Sequence, residues 1–475
     1  MKKLVAAISV IAVLFSAGCG QKNSTGDVAK VKWYNIGTVQ KDEEKVMEKI
    51  NEVLGEKYGL ELDLQLVDSG SYGEKMNMVI ASGEEFDLCF TSNWLNQFSV
   101  VAAGGGFMDV TEKLKNDYKD LYNSLPEFVW AAGTYNNQIM AVPNYQQLYY
   151  HSAAFMPQRI VDKYDIDLSK IDSIDDPDFE EMLKKISEGD EDAYTINCYD
   201  FAGASIKEQI PFNEVSFLYV DPETHKVSSY WDLESMEKDL LMFRDWYKKG
   251  YIRKDVISAQ NSVNEDDYCI WPSGYAPGKP EALSRQKGEP ITYVTLKDVV
   301  IPNGAGVSTM TGISSTSKNP DAALKLLQAV NTDKELYNMF IYGIEGEHYN
   351  KKTDNLIATV KDTRYDKSAN AWCYGNAFNA YYVEGGAPVG SYEEVDRVNR
   401  EAERSFIMGM SLDLTNVKSE VSKIFAVLSE YKYIRYGAED PIPLLNEMRE
   451  KMKAAGMDKV IEDVQRQVDE FFKNK

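Results

Sequence analysis

Leu60 to Leu66 reads Leu-Glu-Leu-Asp-Leu-Gln-Leu, apolar and polar residues in strict alternation, which predicts a half-buried β-strand. Around it the pattern switches between periods of two and of about 3.6. Val31 to Ile36 predicts a short strand, and Lys41 to Tyr58 a helix with Val46, Ile50, Val53 and Leu54 on one face. Ser71 to Ser82, with Tyr72, Met76, Val79 and Ile80, predicts a second helix, and Phe86 to Phe90 a third strand. Strand, helix, strand, helix, strand with short connections is the pattern of a parallel sheet covered by helices. Ligands of such sheets lie beyond the C-terminal strand ends. Those ends read Trp33-Tyr34-Asn35 and Thr91-Ser92-Asn93-Trp94.

Further along, Gln138 to Pro143 predicts a strand that leaves this unit, and residues 151 to about 290 read as a separate lobe. It holds a helix from Asp232 to Lys249, expected to be capped by Asp232 and stopped by Gly250. Trp246 lies on its apolar face and is expected to pack. Tyr268 to Tyr275 reads as an aromatic loop. Val307 to Tyr342 returns to the strand–helix style, with Asn319-Pro320 as a helix start. Beyond residue 400 three helices are expected: Val417 to Tyr431, Pro441 to Ala455 and Asp458 to Phe472.

The N-terminus carries a different signal. Met1-Lys2-Lys3 precedes an apolar run from Leu4 to Phe15, then Ser16-Ala17-Gly18-Cys19. The run is too short for a membrane-spanning helix, which needs about 20 residues, and has the order of a secretory signal peptide. Small residues before a cysteine resemble a bacterial lipobox, in which the chain is cut before Cys19 and its sulfur receives a lipid. Ser16 departs from the Leu usual there. Gly20 to Lys30 is polar and suits a flexible tether. The chain is therefore expected to be extracytoplasmic and lipid-anchored to the bacterial cell membrane, with fatty acyl (palmitate-type) chains as its sole membrane contact.

Composition narrows the choice. The chain has 475 residues, too many for one core and suited to two lobes. A formal charge of -23 argues against nucleic acid as a partner. Three histidines, far apart, do not make a metal site, and neither a metal nor a cofactor is expected. Cys89, Cys198, Cys269 and Cys373 lack short spacings and are expected as small buried groups, with one Cys–Cys pair among them as the alternative. Thirty tyrosines and seven tryptophans are a surplus of aromatics that bear a polar group or present a flat face.

Several segments together resemble an extracellular solute-binding protein of an ABC importer, of the family-one, maltose-binding-like type. They are the lipidated start, Gly83 to Phe90, Asn137 to Pro143, Ser314 to Ala323, and the tail Leu445 to Ile461 with Gln467 to Phe471. Phe340 to Tyr349 resembles the branch with a C-terminal region of unassigned function. The resemblance implies a two-lobe α/β fold of the periplasmic-binding-protein type (type II), with a hinge and a helical C-terminal region. Expected boundaries are a signal peptide at 1–18, a tether at 19–30, lobe 1 at 31–148 and 300–345, and lobe 2 at 149–299 and 346–475. It also implies a monomer that binds without chemistry and hands its solute to permease subunits.

A sugar ring has hydroxyls at its rim and an apolar face, so its site needs flat aromatics with amides, carboxylates or Arg. Tyr34, Asn35, Asn93, Trp94, Trp271, Tyr275, Trp372, Tyr374 and Asn376 combine these groups at expected loop ends, and Tyr145 follows the strand leaving lobe 1. Glu345 and His348 lie in a glycine-punctuated turn that the resemblance marks. These residues are expected to hold an oligosaccharide. Alternatives are a peptide or other solute, a surface adhesin or sensor, and a secreted glycoside hydrolase, which needs two carboxylates at 5–10 Å with one raised pKa.

Overall fold

A computed structural model describes residues 28–189, 194–199, 211–259, 265–296 and 299–474. The expected signal peptide, Cys19 and most of the expected tether lie outside the described residues. Among the described residues no helix is long and apolar enough to cross a membrane.

Lobe 1 opens with β1 (Ala29–Ile36), α1 (Glu43–Tyr58), β2 (Leu60–Val67), α2 (Ser69–Ser82) and β3 (Leu88–Thr91). Helix α1 buries Val46, Ile50 and Leu54, and stops at Gly59, whose φ of 65° lets its N–H close the last turn. Asp68 caps α2 through Gly70 N–H. The Tyr72 hydroxyl pins that helix to the sheet, donating to the carbonyls of Tyr34 and Phe90 at 3.1 and 3.0 Å. With β4 (Ala141–Pro143) and a late strand, Met310–Ile313, the sheet runs β2, β1, β3, Met310–Ile313, β4. The late strand is antiparallel to both neighbours, so its N-terminal end meets the C-terminal ends of β3 and β4.

Lobe 2 is built on β5 (Ser152–Pro157), β6 (Tyr194–Ile196), β7 (Tyr268–Gly274) and β8 (Ile291–Thr295), in the order β8, β5, β7, β6. The expected aromatic loop is thus a central strand. Covered on both sides, β7 sends Ile270 into one cluster and Trp271 into another, and so shows no alternation. Trp246 packs as expected, stacked on Phe179 at 5.9 Å. Its helix begins at Glu234, and Asp232 does not cap it. Asp232 ends the preceding 3-10 turn, and its carboxylate meets Arg449 at 3.1 Å.

The tail helices Lys418–Glu430, Pro441–Ala454 and Met457–Asn474 share a core with Leu218, Val220, Trp231 and Leu240. A seam joins them to helix Glu234–Lys249. Arg244 donates to the carbonyls of Gly437 and Ala438 at 2.9 and 2.8 Å. Gly437 has a φ of 70°, and a Cβ there would stand 2.2 Å from the Phe243 carbonyl oxygen.

Residues 346–402, grouped from the sequence with lobe 2, pack in lobe 1. Tyr349, Ile357, Tyr365, Tyr374 and Val395 share its core, and Tyr374 sets its edge against Trp33 at 5.7 Å. Ring packing and two polar staples to the start of α1 draw this segment back. In one, the buried Lys367 ammonium meets Glu43 at 2.6 Å. In the other, His348 Nδ1 accepts from Ile344 N–H at 3.0 Å, which leaves the Nε2 proton to face Asp42 at 3.4 Å. Three segments then pass side by side between the lobes. Tyr150 bridges Val300, Val300 pairs with Glu403, and Ser405 N–H donates to Ile301 at 2.8 Å.

Candidate functional site

The C-terminal edge of the lobe 1 sheet carries two tryptophans from distant parts of the chain. After β3, Ser92 Oγ accepts from the N–H groups of Trp94 and Leu95 at 3.2 and 2.8 Å, turning Trp94 outward. Its indole N–H donates to the Ser308 carbonyl at 2.9 Å, and that of Trp372 to Ala369 at 3.0 Å. The two rings lie 6.3 Å apart with their planes at 45°, each edge-on to Phe90 at 6.0 and 5.8 Å. Trp94 is 52 % exposed and Trp372 half-buried. Both polar edges are occupied by backbone, so what the pair offers a ligand is aromatic face.

Amides hold this edge together. Asn144, just past β4, donates to Thr309 Oγ1 at 2.8 Å and accepts from Gly375 N–H at 3.0 Å. Thr309 in turn donates to the Trp372 carbonyl at 2.9 Å. The 372–375 turn is thereby fixed against the end of the sheet. Asn93 is exposed beside Trp94. Asn376 lines a small pocket beyond β4, and Tyr145, only 1 % exposed, backs it with its hydroxyl on Asp396 and no ring face for a sugar. On the lobe 2 side Tyr275 stacks on Tyr293 at 4.4 Å, and its N–H donates to the His151 carbonyl at 2.6 Å. Tyr150, 67 % exposed, stands in the crossing segment next to them.

The other sequence candidates lie elsewhere. Tyr34 and Asn35 are buried in β1: the Tyr34 hydroxyl donates to Glu84 at 2.8 Å and the Asn35 amide to the Cys373 carbonyl at 3.2 Å. Tyr374 is fully buried in lobe 1, and Trp271 is 1 % exposed in lobe 2. A buried ring has no face to give a sugar in this conformation. His348 is a staple within the fold, and Glu345 is exposed in its turn, 3.4 Å from Lys351. Sequence reading missed Tyr150, Asn144 and Thr309, although the aromatic run Tyr149-Tyr150-His151 in a segment leaving lobe 1 was a signal for the first. Cys89, Cys198, Cys269 and Cys373 are all buried, and burial pushes the Cys89 thiol up to about 12. Among the described residues no group of three or more His, Cys, Asp or Glu is placed to hold a metal.

Residues 40–336 match the model of the bacterial extracellular solute-binding proteins. This chain belongs to that family. It is a solute-binding protein and not an enzyme. Residues 406–473 match a domain of unknown function, DUF3502, which coincides with the tail helices. The solute-binding protein is 28 % identical, over 100 % of its length and 99 % of the relative's, to a carbohydrate ABC transporter substrate-binding protein of Streptococcus pneumoniae serotype 4. Its structure is similar to that of the N-glycan transport solute binding protein NgtS from Streptococcus pneumoniae. The TM-score is 0.80 at 28 % identity, covering 94 % of this chain and 99 % of that one. NgtS in complex with Man1GlcNAc gives 0.68 at 27 % identity, covering 94 % and 100 %. In complex with Man5GlcNAc it gives 0.64 at 28 % identity, covering 94 % and 99 %.

Proposed function

We propose that this solute-binding protein captures an oligosaccharide of the mannose and N-acetylglucosamine type between its lobes and delivers it to an ABC importer. The observation that carries the reading is the Trp94–Trp372 pair, two indoles at a sheet's ligand-binding edge with their polar edges already bonded and their faces left over. Asn93 and Asn376 supply hydroxyl partners on lobe 1, and Tyr275 meets the ligand from lobe 2. The protein acts as a monomer on the permease subunits.

The likeness to NgtS over nearly the whole chain supports this choice of sugar. The lower TM-scores to the two sugar complexes accord with lobes that change their relation when a sugar binds. The test is a melting and scattering experiment with Man1GlcNAc and Man5GlcNAc. At about 100 times its Kd a sugar that binds the folded state adds about 2.7 kcal/mol. We expect a higher melting temperature and a smaller radius of gyration with at least one of them. No change in melting with either sugar rejects this ligand class.

The lipid anchor belongs to the same reading, supported by the small residues before Cys19. Cys19→Ala is expected to release the protein from the membrane fraction or to leave it unprocessed. A variant that fractionates and migrates like wild type rejects lipidation.

A further inference from the structure

Beyond the edge strand β4, the row of groups along the sheet end continues into a pocket of about 130 Å³ between Tyr145, Asn376 and helix Ser391–Glu401. Asp396 is its centre. One carboxylate oxygen accepts from the Tyr145 hydroxyl at 2.6 Å and the other from Arg400 Nε at 2.9 Å, so the group is fixed from two sides. Burial and this carboxylate push the Tyr145 hydroxyl well above the usual phenol range. Phe378 sets its edge on Tyr145 at 5.1 Å, and Tyr392 stacks on Tyr382 at 4.4 Å, giving the pocket aromatic walls. Glu393, which accepts from the Tyr382 hydroxyl, adds a second carboxylate.

Position ties this pocket to the tryptophans. Asn376 follows Trp372 by four residues, through the Gly375 turn that Asn144 holds, and Tyr145 follows Asn144 directly. The same helix is entered through a strap, residues 384–390, that touches lobe 2. A Cβ on Gly278 would stand 2.5 Å from Ala387 Cβ, and one on Gly385 lies 3.6 Å from Arg285 Cδ. The lobes thus come into contact on that side of the helix, which favours the end of a chain there over a chain running through. A pocket of this size suits the exocyclic arm and rim of one ring better than a run of rings. Two carboxylates against one guanidinium, in a chain of formal charge -23, favour a neutral ligand over an anionic one.

We propose that this pocket is the subsite for the terminal unit of a neutral oligosaccharide, with Asp396 and Arg400 as its hydrogen-bonding pair. It rests on the carbohydrate reading above. Carboxylate and guanidinium side by side supply acceptors and donors to adjacent hydroxyls, which a plain aromatic shelf does not.

Titration calorimetry of wild type, Asp396→Asn, Arg400→Gln and Trp372→Ala tests it, with melting curves taken without sugar. The probes are Man1GlcNAc, Man5GlcNAc and a sialyl-terminated trisaccharide. Asp396→Asn and Arg400→Gln are expected to bind Man1GlcNAc at least tenfold more weakly while melting close to wild type. Wild type is expected to bind the sialyl sugar at least tenfold more weakly than Man1GlcNAc, and Asp396→Asn to narrow that ratio, a change that a merely structural Asp396 does not produce. If Asp396→Asn does not fold, Arg400→Gln, whose side chain is about half exposed, carries the test alone. Wild-type affinity in the pocket variants beside a weakened Trp372→Ala overturns this proposal and leaves the carbohydrate reading standing. A wild type that binds none of the sugars overturns both.

Discussion

Trp94→Ala and Trp372→Ala are each expected to weaken Man1GlcNAc binding about thirtyfold, the effect of losing a binding aromatic worth about 2 kcal/mol. Neither ring is fully buried: Trp94 is 52 % exposed, and Trp372, half-buried, packs on the rim of the lobe 1 core, so melting without sugar is expected to fall far less than for a fully buried tryptophan. Trp271→Ala should do the reverse. That indole is 1 % exposed, against Phe155 and under the Lys287 ammonium at 4.7 Å. Its removal costs about 3–5 kcal/mol of stability and leaves the affinity of the folded fraction unchanged. Calorimetry and melting curves on the three variants separate the roles. Wild-type affinity in both Trp94→Ala and Trp372→Ala removes the aromatic platform from the site.

The second large effect is expected at Glu43. Its carboxylate faces Lys367, whose side chain is 4 % exposed, and burial holds that ammonium below the usual lysine range. Glu43→Gln leaves a buried charge without its counter-charge, which typically costs about 3–5 kcal/mol. Replacing both residues together, Glu43→Gln with Lys367→Met, is expected to recover much of the loss, because no charge then stays buried. Urea unfolding followed by intrinsic fluorescence checks this. A single variant as stable as wild type shows that the staple does not hold the 346–402 segment. Because that segment carries Trp372, the single variant should also bind sugar more weakly.

What could be read from the residues followed the range of the interactions. Strand β2 was visible because one of its faces is half solvated, so its side chains alternate. Strand β7 was not, because both faces are covered, and Pro272 and Gly274 then read as loop residues. Asp232 has the residue type of a cap, yet tertiary pairing with Arg449 takes its carboxylate elsewhere. The 346–402 segment has short strands and 3-10 turns in place of long periodic elements. What ties it to lobe 1 is a set of contacts with Asp42, Glu43 and Trp33, hundreds of residues away. The site shared this limit. Trp94 and Trp372 were each recognisable as aromatics near a loop end, but only the sheet order makes them neighbours. Tyr34, Asn35 and Tyr374 had the same composition and fell on the inner side of the same elements.

The seam at Gly437 has a use in measurement. Since this seam joins the tail to helix Glu234–Lys249, the last three helices are expected to travel with lobe 2, while α2 belongs to lobe 1. A donor dye at position 78, where Met78 is 57 % exposed, and an acceptor at the exposed Lys453 would sit on opposite sides of the hinge and clear of the tryptophan pair. Energy transfer between them would turn the protein into an optical gauge of its own cargo, read in solution without labelling the sugar.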